Sequence, residues 1–424
     1  MNQGNLTVRI SVTEQARQAK EASSAWALFT REQKDEALRK IGSQLLQDEA
    51  YILSENQKDM QAAKAEQHPA SYLDRLLLTP ERIKGLVQSL EDLAKLPDPI
   101  GEVITEWTLP NGLHIQQTRV PLGVIGMVYE ARPNVTIDAA AIALKTGNAI
   151  VLRGSRSASH SNQALTRSIR TALEQMNLPH EAVQYLETTD REAVDVLCTL
   201  NEYVDVIIPR GGASLISRVV KTSTVPVLET GVGNCHIYID ETASYEMAEA
   251  IILNAKTQRP AVCNAAETLL IHEAFARQYG EQLLTSLLDA NVQLRACERT
   301  LQNHPSLSLV EATATDWDAE FLDLILAVKT VGSLQEAMNH IATHGTKHSE
   351  AIITENQANA QLFLRAVDAA AVYHNASTRF TDGGEFGFGA EIGISTQKIH
   401  ARGPMGLPAL TSSKYQIAGN GQIR

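Results

Sequence analysis

The feature that most constrains the fold is an alternation of strand-like and helix-like segments between residues 123 and 229. It opens with a continuous apolar run, Gly123 to Tyr129, as expected of a strand that is buried on both faces. Further strands are predicted at 149–153, 183–186, 204–209 and 225–229, with helices between them at 137–145, 165–173, 191–200 and 213–220. This alternation predicts an open, largely parallel α/β sheet, which binds ligands at the carboxyl ends of its strands.

Two regions earlier in the chain do not follow this alternation of strands and helices. Residues 1–96 carry apolar side chains at helical spacing, and Thr30-Arg-Glu-Gln33 fits a capping box that starts one of these helices. Residues 103–109 and 113–120, joined by Pro110-Asn111-Gly112, predict a β-hairpin. This hairpin is interpreted either as a simple surface feature or as an arm for subunit contact.

A second α/β region follows Cys263. It is predicted to contain a strand at 266–271, a helix through Leu287, and strands near Leu307 and at 324–328. Because 424 residues exceed the size that a single hydrophobic core usually reaches, we expect the two α/β regions to form separate domains.

Composition excludes several classes of function. The formal net charge of -12 disfavours binding to nucleic acid or to anionic membranes, so an anionic substrate requires a local basic cluster. We predict a cytoplasmic protein, because the sequence shows neither the apolar core of a signal peptide nor an apolar run of roughly 18 residues. The four cysteines include no C-x-x-C pair, and we predict no metal site.

Cys263 is the candidate nucleophile. It is predicted to lie on a loop between the helix 245–256 and the next strand, with Arg259 nearby in sequence. A neighbouring cation lowers the pKa of a thiol and increases the thiolate fraction. Taken alone, however, a single cysteine is more often a small buried hydrophobic residue. Cys235, which follows Gly231-Val-Gly-Asn234, is interpreted as a packing residue, with an approach to the site as the alternative, and Gly231-Val-Gly233 is interpreted as a turn.

Two strand-to-helix junctions are candidate phosphate sites. They are Arg153-Gly-Ser-Arg156 and Arg210-Gly-Gly212. Backbone N–H groups at a helix start and nearby arginines both favour phosphate, although each junction is also consistent with a tight turn carrying solvated charges. The G-x-G-x-x-G fingerprint of a standard dinucleotide fold is absent from the required context.

Four long stretches of the sequence carry a resemblance to a known family. They run over 120–134, 228–236, 258–267 and from Asn375-Ala-Ser-Thr-Arg-Phe380 to His400-Ala-Arg-Gly-Pro404. Together they resemble the aldehyde dehydrogenase superfamily, and within it the reductases that act on an acyl phosphate of glutamate. The resemblance covers essentially the whole chain. It implies two open, mostly parallel α/β sheets with a small β-hairpin oligomerisation arm.

The resemblance also implies catalytic roles and domains. Cys263 matches the nucleophile, Asn134 the amide that helps to form the oxyanion hole, and Glu229 the general base. Since hydrolysis of the intermediate would be unproductive, Glu229 is interpreted either as structural or as a proton shuttle. The implied domains are a cofactor-binding domain (1–100 and 120–230), a catalytic domain (231–399), and an oligomerisation arm and tail (101–119 and 400–424).

For the cofactor, the resemblance implies that Arg153 contacts the adenosine ribose or phosphate and that Glu320 contacts the nicotinamide ribose. The Gly-Pro that usually follows this glutamate is missing here. Arg156 stands where NAD-preferring relatives place a glutamate, and an arginine there pairs with a 2′-phosphate, which predicts NADPH. Ser155, Gly211 and Gly212 complete the predicted cofactor site.

The predicted reaction is the NADPH-dependent reduction of L-glutamyl 5-phosphate to L-glutamate 5-semialdehyde through a cysteine thioester, in proline biosynthesis. Candidate substrate cations are Arg132, Arg259, Arg379 and Arg402. The expected assembly is a homo-oligomer, either a dimer or a tetramer. A separate glutamate 5-kinase is expected to supply the glutamyl phosphate. The alternatives are an aldehyde dehydrogenase that forms acids or CoA esters, and a catalytically inactive scaffold.

Overall fold

The computed structural model describes residues 3–188 and 190–424. The chain forms two compact units. The first contains residues up to Glu229 together with 388–393 and 405–424, and the second contains residues 230–387 and 394–404. Over the described ranges, no helix is long and apolar enough to cross a lipid bilayer.

The helices, in chain order, are α1 (Gln3–Trp26), α2 (Arg31–Gln47), α3 (Glu49–Ala65), α4 (Ala70–Leu76), α5 (Pro80–Lys95), α6 (Asn134–Lys145), α7 (Ser159–Gln175), α8 (Arg191–Leu197), α9 (Ala213–Thr222), α10 (Tyr245–Thr257), α11 (Glu273–Asp289), α12 (Glu298–Asn303), α13 (Leu334–His344) and α14 (Gln357–Ala366). The strands are β1 (Val103–Thr108), β2 (His114–Pro121), β3 (Val124–Tyr129), β4 (Ala149–Arg153), β5 (Val183–Tyr185), β6 (Val206–Arg210), β7 (Cys235–Ile239), β8 (Ala266–His272), β9 (Gln293–Ala296), β10 (Val310–Glu311), β11 (Ile325–Val331), β12 (Ser349–Ile353), β13 (Ala371–His374), β14 (Ile394–Ser395), β15 (Gly403–Pro404) and β16 (Thr411–Ala418).

Each unit is built on a parallel sheet. The sheet of the first unit has the strand order β5-β4-β3-β6, and that of the second unit has the order β10-β9-β11-β8-β7-β12-β13. Strands β3, β7 and β12 are buried along their whole length. A continuous apolar run explains this for β3, whereas β7 and β12 also bury the polar residues His236 and Glu350. These two sheets confirm the predicted α/β fold class.

The parallel order of the first sheet determines where the candidate cofactor residues lie. Since β3, β4 and β6 are adjacent and parallel, the segments that follow them meet at one edge. Asn134 begins α6 just beyond β3, Arg153 ends β4, and Arg210 ends β6. The sheet therefore gathers these groups at its carboxyl edge, as expected of an open α/β sheet.

One predicted strand is wrong, and another lies a few residues further along the chain than predicted. Residues 225–229 form only a single bridge, between Val227 and Ile207, at the edge of β6. Pro226 lacks an N–H group, so the segment cannot continue the ladder in both directions. The strand predicted near Leu307 is instead the two-residue strand β10 at Val310–Glu311.

The predicted hairpin is confirmed, and a third strand joins it. Strands β1 and β2 pair antiparallel, and β16 pairs antiparallel with the other edge of β2. On this three-stranded sheet the rings of Trp107 and Tyr415 meet edge to face, with 6.2 Å between centroids. Both rings remain exposed, as does Ile417. We name this sheet, formed by β1, β2 and β16, the arm sheet.

The predicted capping box is also confirmed. The Thr30 hydroxyl accepts the Gln33 backbone N–H at 3.4 Å, and the Gln33 side chain accepts the Thr30 N–H at 2.9 Å. The box starts α2, whose apolar face at Ala37, Leu38 and Leu45 is fully buried. Loss of such a cap typically costs about 1 kcal/mol of stability.

Candidate active site

Cys263 lies on the loop between α10 and β8, and the residue is half-buried. Gly233 packs directly against this loop, because a Cβ atom on Gly233 would overlap the Cys263 carbonyl group. Only glycine permits so close an approach. Gly233 was predicted only as a turn glycine, but its backbone also makes a close contact with the Cys263 carbonyl group.

A second cysteine holds the same loop. The buried Cys235 thiol donates a hydrogen bond to the Cys263 carbonyl oxygen, with 3.2 Å between sulfur and oxygen. Its sulfur also lies 3.7 Å from Nδ1 of the buried His348. Burial, followed by the nearby Glu350 carboxylate, raises the pKa of Cys235 well above its ordinary value. Cys235 thus remains a neutral thiol that positions Cys263, so its interpretation as a packing residue was incomplete.

Two arginines bring positive charge to the loop. The Arg379 guanidinium donates to the side-chain oxygens of Asn264 and, at 3.1 Å, of Gln258. Asn264 in turn donates to the Thr381 carbonyl at 2.9 Å, which fixes its amide. Burial and then the charge of Arg259 lower the pKa of Arg379, and Cys263 is among the groups that oppose this shift. The Arg379 guanidinium therefore interacts electrostatically with both Arg259 and Cys263.

Glu320 is tied to the same loop through Gly233. Its Oε1 atom accepts the Gly233 N–H at 2.8 Å. Two residues further on, Leu322 adopts a left-handed backbone conformation (φ 55°) and donates its N–H to Glu267 at 3.2 Å. Glu267 is buried and pairs with Lys256 at 2.6 Å. Residues held in such conformations by surrounding structure often mark functional sites.

In the first unit, Asn134 occupies the start of α6 with an exposed side chain. Its amide nitrogen donates to Oδ2 of Asp138, one turn later, at 3.0 Å. Burial raises the pKa of Asp138 to about 6, against the opposing effects of Asn134 and Arg210. The hydrogen bond settles which end of the Asn134 amide carries the N–H groups, a property that an oxyanion donor needs.

The junction after β4 presents one fixed and one exposed arginine. Arg153 donates to the carbonyl oxygens of Gly154 at 2.9 Å and Asp190 at 3.2 Å, and burial lowers its pKa. Arg156 is exposed, and no described carboxylate lies within ion-pair distance of its guanidinium. Ser155 is half-buried and forms a hydroxyl contact of 2.8 Å with Ser157. An exposed arginine at the carboxyl edge of a parallel sheet fits a phosphate group.

The junction after β6 differs from the one after β4. Gly212 caps the amino terminus of α9, and a Cβ atom on Gly211 would lie 2.6 Å from the Glu130 carboxyl carbon. A side chain at Gly211 would therefore have to displace the Glu130 side chain. The adjacent carboxylate disfavours an anion at Gly211, whereas the helix amino terminus favours one.

Comparison with known proteins decides the family. The sequence profile of the aldehyde dehydrogenase family matches residues 7–300. A γ-glutamyl phosphate reductase of Bacillus cereus (strain AH820) is 57% identical over 413 residues, which cover 97% of this chain and 99% of that protein. The chain belongs to the γ-glutamyl phosphate reductase branch of the aldehyde dehydrogenase family.

Solved structures agree with this assignment. The crystal structure of γ-glutamyl phosphate reductase from Thermotoga maritima matches with a TM-score of 0.95 and 47% identity, covering 97% of this chain and 99% of that chain. An acetylating aldehyde dehydrogenase from Geobacillus thermoglucosidasius matches with a TM-score of 0.70 at 16% identity over 100% of both chains, and shows the fold alone. The predicted aldehyde-dehydrogenase-like fold is confirmed.

The remaining predicted residues of this reductase lie in varied settings. Glu229 is half-buried and is the last residue of the first segment of the first unit. Arg132 is half-buried two residues before α6 begins, and its backbone N–H donates to the Glu130 carbonyl at 2.7 Å. Arg402 pairs with Asp368 at 2.7 Å. No measured contact joins Arg402 to the Cys263 loop within the described residues, so its role stays a prediction.

Sequence reasoning missed several groups that shape this reductase site. Cys235 as a hydrogen-bond donor, Gly233 as a close contact, His348, and the buried pair Lys256–Glu267 are the main ones. One signal was present in the sequence: Glu267 and Lys256 are charged residues within apolar segments that become a buried strand and helix. Charged residues are almost never fully buried unless they are paired, so two of them flanking the Cys263 loop could have been interpreted as a buried ion pair.

Proposed function

We propose that this reductase converts L-glutamyl 5-phosphate to L-glutamate 5-semialdehyde and inorganic phosphate with NADPH, as a step of proline biosynthesis. The observation that carries the proposal is the Cys263 loop, which is fixed by Gly233 and Cys235, contains Arg259 and interacts electrostatically with Arg379. The substrate follows from the 57% identity to a γ-glutamyl phosphate reductase over almost the whole chain.

In the proposed first step, the Cys263 thiolate attacks the carbonyl carbon of the acyl phosphate. A sulfur–carbon bond forms, the carbon–oxygen bond to phosphate breaks, and phosphate leaves with the electron pair, so that a thioester remains on Cys263. The Cys263 backbone N–H and the Asn134 amide are the proposed donors to the developing oxyanion. Loss of one such donor typically raises the barrier by roughly 3 kcal/mol.

The reducing equivalent comes from a nicotinamide cofactor. When bound, it supplies the hydride that reduces the thioester carbon. Arg156 suits the 2′-phosphate of NADPH, because its guanidinium is exposed and no described carboxylate neutralises it. Arg153, Ser155, Gly211, Gly212 and Glu320 are the other proposed cofactor contacts. Release of the aldehyde then regenerates the Cys263 thiolate.

The proposed substrate carries negative charge at both ends, whereas the chain as a whole has a formal net charge of -12. A local cluster of cations is therefore needed. Arg259 and Arg379 have the strongest support, since both act electrostatically at the Cys263 loop. Arg132 and Arg402 remain proposed substrate contacts on the resemblance alone. For Glu229 we propose either a structural role or a proton shuttle, because activation of water would hydrolyse the thioester.

We further propose that the reductase is a cytoplasmic homo-oligomer, a dimer or a tetramer, assembled through the arm sheet. Trp107, Tyr415 and Ile417 leave apolar surface exposed on that sheet, and β1 and β16 are its edge strands. Exposed apolar patches and open strand edges are features of interaction surfaces. The glutamyl phosphate would come from a separate glutamate 5-kinase.

The proposal is tested by following the reverse reaction with glutamate semialdehyde, phosphate and NADP+. We expect NADPH formation that requires phosphate (or arsenate) and is abolished in Cys263→Ser. Oxidation at full rate without phosphate would instead indicate an aldehyde dehydrogenase that forms acids or CoA esters. If the wild type and a well-folded Cys263→Ala variant have the same turnover, including none in either protein, the result would indicate an inactive scaffold.

A further inference from the structure

The second unit contains a cavity of about 250 Å³ between α13, α14 and the start of β12. One side is apolar and is formed by Met338, Ile341, Ala342, Ala366 and Val367. Taking about 30 Å³ for each water-sized group, this volume holds about eight non-hydrogen atoms. The cavity is thus too small for a dinucleotide and suits a small molecule with an aliphatic body.

A buried carboxylate also lines the cavity. Glu350 is 1% exposed, and its Oε2 atom contacts the backbone nitrogen of His236 at 2.7 Å and the His236 Nδ1 atom at 3.1 Å. Its Oε1 atom has no hydrogen-bond partner among the described residues. Leaving such an oxygen unsatisfied in a buried site is unfavourable. The Oε1 atom therefore calls for a donor, and a cationic donor suits a carboxylate best.

Gly345 keeps the space beside this oxygen open. A Cβ atom on Gly345 would lie 3.0 Å from the Glu350 Oε1 atom and 2.6 Å from the Ile341 carbonyl oxygen. Gly345 also lines the cavity. A side chain at this position would therefore crowd the carboxylate and narrow the cavity.

The cavity also presents a cation that can receive an anionic group. Lys347 and Asp368 line it, with 3.7 Å between the ammonium and the carboxylate. Lys398 and Arg402 contact the same Asp368 at 2.9 Å and 2.7 Å, and these hydrogen bonds lower the pKa of Asp368 to about 2. Three cations thus surround one carboxylate, which leaves positive charge beside the cavity for a second anion.

We propose that this cavity binds a small aliphatic α-amino acid. Its ammonium group donates to Glu350 Oε1, its carboxylate pairs with Lys347, and its side chain packs on Ile341 and Val367. None of the residues that line the cavity lies in the loop that carries the nucleophile. A purely hydrated cavity is the competing explanation, since water would also satisfy Glu350.

The test is isothermal titration of the full chain with L-valine and two matched probes, each lacking one charged group. Isobutylamine lacks the carboxylate, and 3-methylbutanoate lacks the ammonium. We expect saturable binding of L-valine and binding at least about tenfold weaker for each probe, because each loses one charge-assisted hydrogen bond. Equal binding of L-valine and isobutylamine would contradict the role of Lys347.

Variants locate the site. Glu350→Gln removes the charge with little change of shape and should weaken L-valine binding by about tenfold or more. Glu355→Gln, an exposed carboxylate just after β12, is the matched control and should have no effect. Ala342→Phe fills the cavity from an exposed helix position, so it tests the site even if Glu350→Gln fails to fold. Absence of saturation up to the solubility limit, or binding that Ala342→Phe leaves unchanged, overturns the proposal.

Discussion

The carboxyl edge of the first sheet and the Cys263 loop carry the proposed chemistry in different ways. At the sheet edge, Asn134 and Arg156 are exposed, and a ligand would complete their contacts. Around Cys263, the supporting groups Cys235 and Glu267 are buried and already bonded within the second unit. The nucleophile is thus positioned in advance by packing, whereas the cofactor edge gains its full set of contacts on binding. Substitutions should therefore affect stability and geometry at the loop, and ligand affinity at the edge.

The largest expected effect is on the buried pair behind the loop. Glu267→Gln leaves the ammonium of Lys256 buried without its carboxylate, and removing one partner of a buried pair costs about 3–5 kcal/mol. We expect a loss of this size in the free energy of unfolding, measured by urea denaturation. Asp92→Asn, which removes a partner from the exposed pair with Lys95, is the control and should leave stability unchanged. Equal stability of Glu267→Gln and the wild type would show that the loop is not fixed by this pair.

The next effect is on the geometry of the loop itself. Gly233→Ala places a methyl group where the Cys263 carbonyl lies, so the loop must move. Displacement of a reacting group by about 1 Å can reduce turnover by roughly 100-fold. We expect such a loss in kcat, with Gly85→Ala as the control, because a methyl group at Gly85 meets no atom within 4 Å. Full activity in Gly233→Ala would contradict the positioning role of Gly233.

Asp138 tests the comparison at the sheet edge, because it is half-buried and accepts a hydrogen bond from the exposed Asn134. Its pKa of about 6, raised by burial from 3.8, means that its stabilising contribution is complete below pH 3.8 and is lost as pH rises through 6. A shift of roughly two pKa units corresponds to about 3 kcal/mol. We therefore expect Asp138→Asn to be more stable than the wild type at pH 8, by about 1–3 kcal/mol, with the difference vanishing near pH 4.

Turnover distinguishes the role of Asp138 from a merely structural one. If Asp138 orients the Asn134 amide, the wild-type kcat should change near pH 6, and this inflection should be absent from the pH profile of Asp138→Asn. The stability difference is measured by denaturation at the two pH values. Identical pH profiles of kcat for the wild type and Asp138→Asn would show that Asp138 does not orient the Asn134 amide.

The smallest effect is expected at the exposed edge. Arg156→Glu should raise the KM for NADPH by about tenfold or more, because it replaces a charge-assisted contact to phosphate with repulsion. The KM for NADH should change much less, and the fold should be unaffected. Lys84→Glu, an exposed charge reversal in α5, is the control. Equal changes in the two KM values would contradict the assignment of Arg156 to the 2′-phosphate.

Local patterns predicted much of the fold. The capping box at Thr30 and the hairpin at Asn111-Gly112 depend on residues close in sequence, and both are confirmed. The strand at 225–229 was wrongly predicted, because the apolar residues favoured a strand and the missing N–H of Pro226 was not taken into account. The third strand of the arm sheet was missed because its pairing partner, β2, lies almost 300 residues earlier in the chain.

In the candidate site, too, residue identities were predicted from local patterns, whereas contacts between distant segments were not. Cys263, Arg259 and Arg379 were predicted from the sequence, and in the structure Arg379 interacts electrostatically with the other two. The contacts of Cys263 with Gly233 and Cys235 span about thirty residues, and no local pattern indicates a backbone contact at that distance. The support of a nucleophile is therefore hard to predict, since it depends on tertiary packing more than on residue type.

The most direct test of the central claim is detection of an acyl group on Cys263. The chain is mixed with glutamate semialdehyde and NADP+ without phosphate, quenched rapidly in acid, digested and examined by mass spectrometry. The account predicts a glutamyl thioester on the peptide that contains Cys263, which disappears when phosphate is added before the quench. An active enzyme that shows no adduct, or an adduct on Cys235 or another residue, would contradict it.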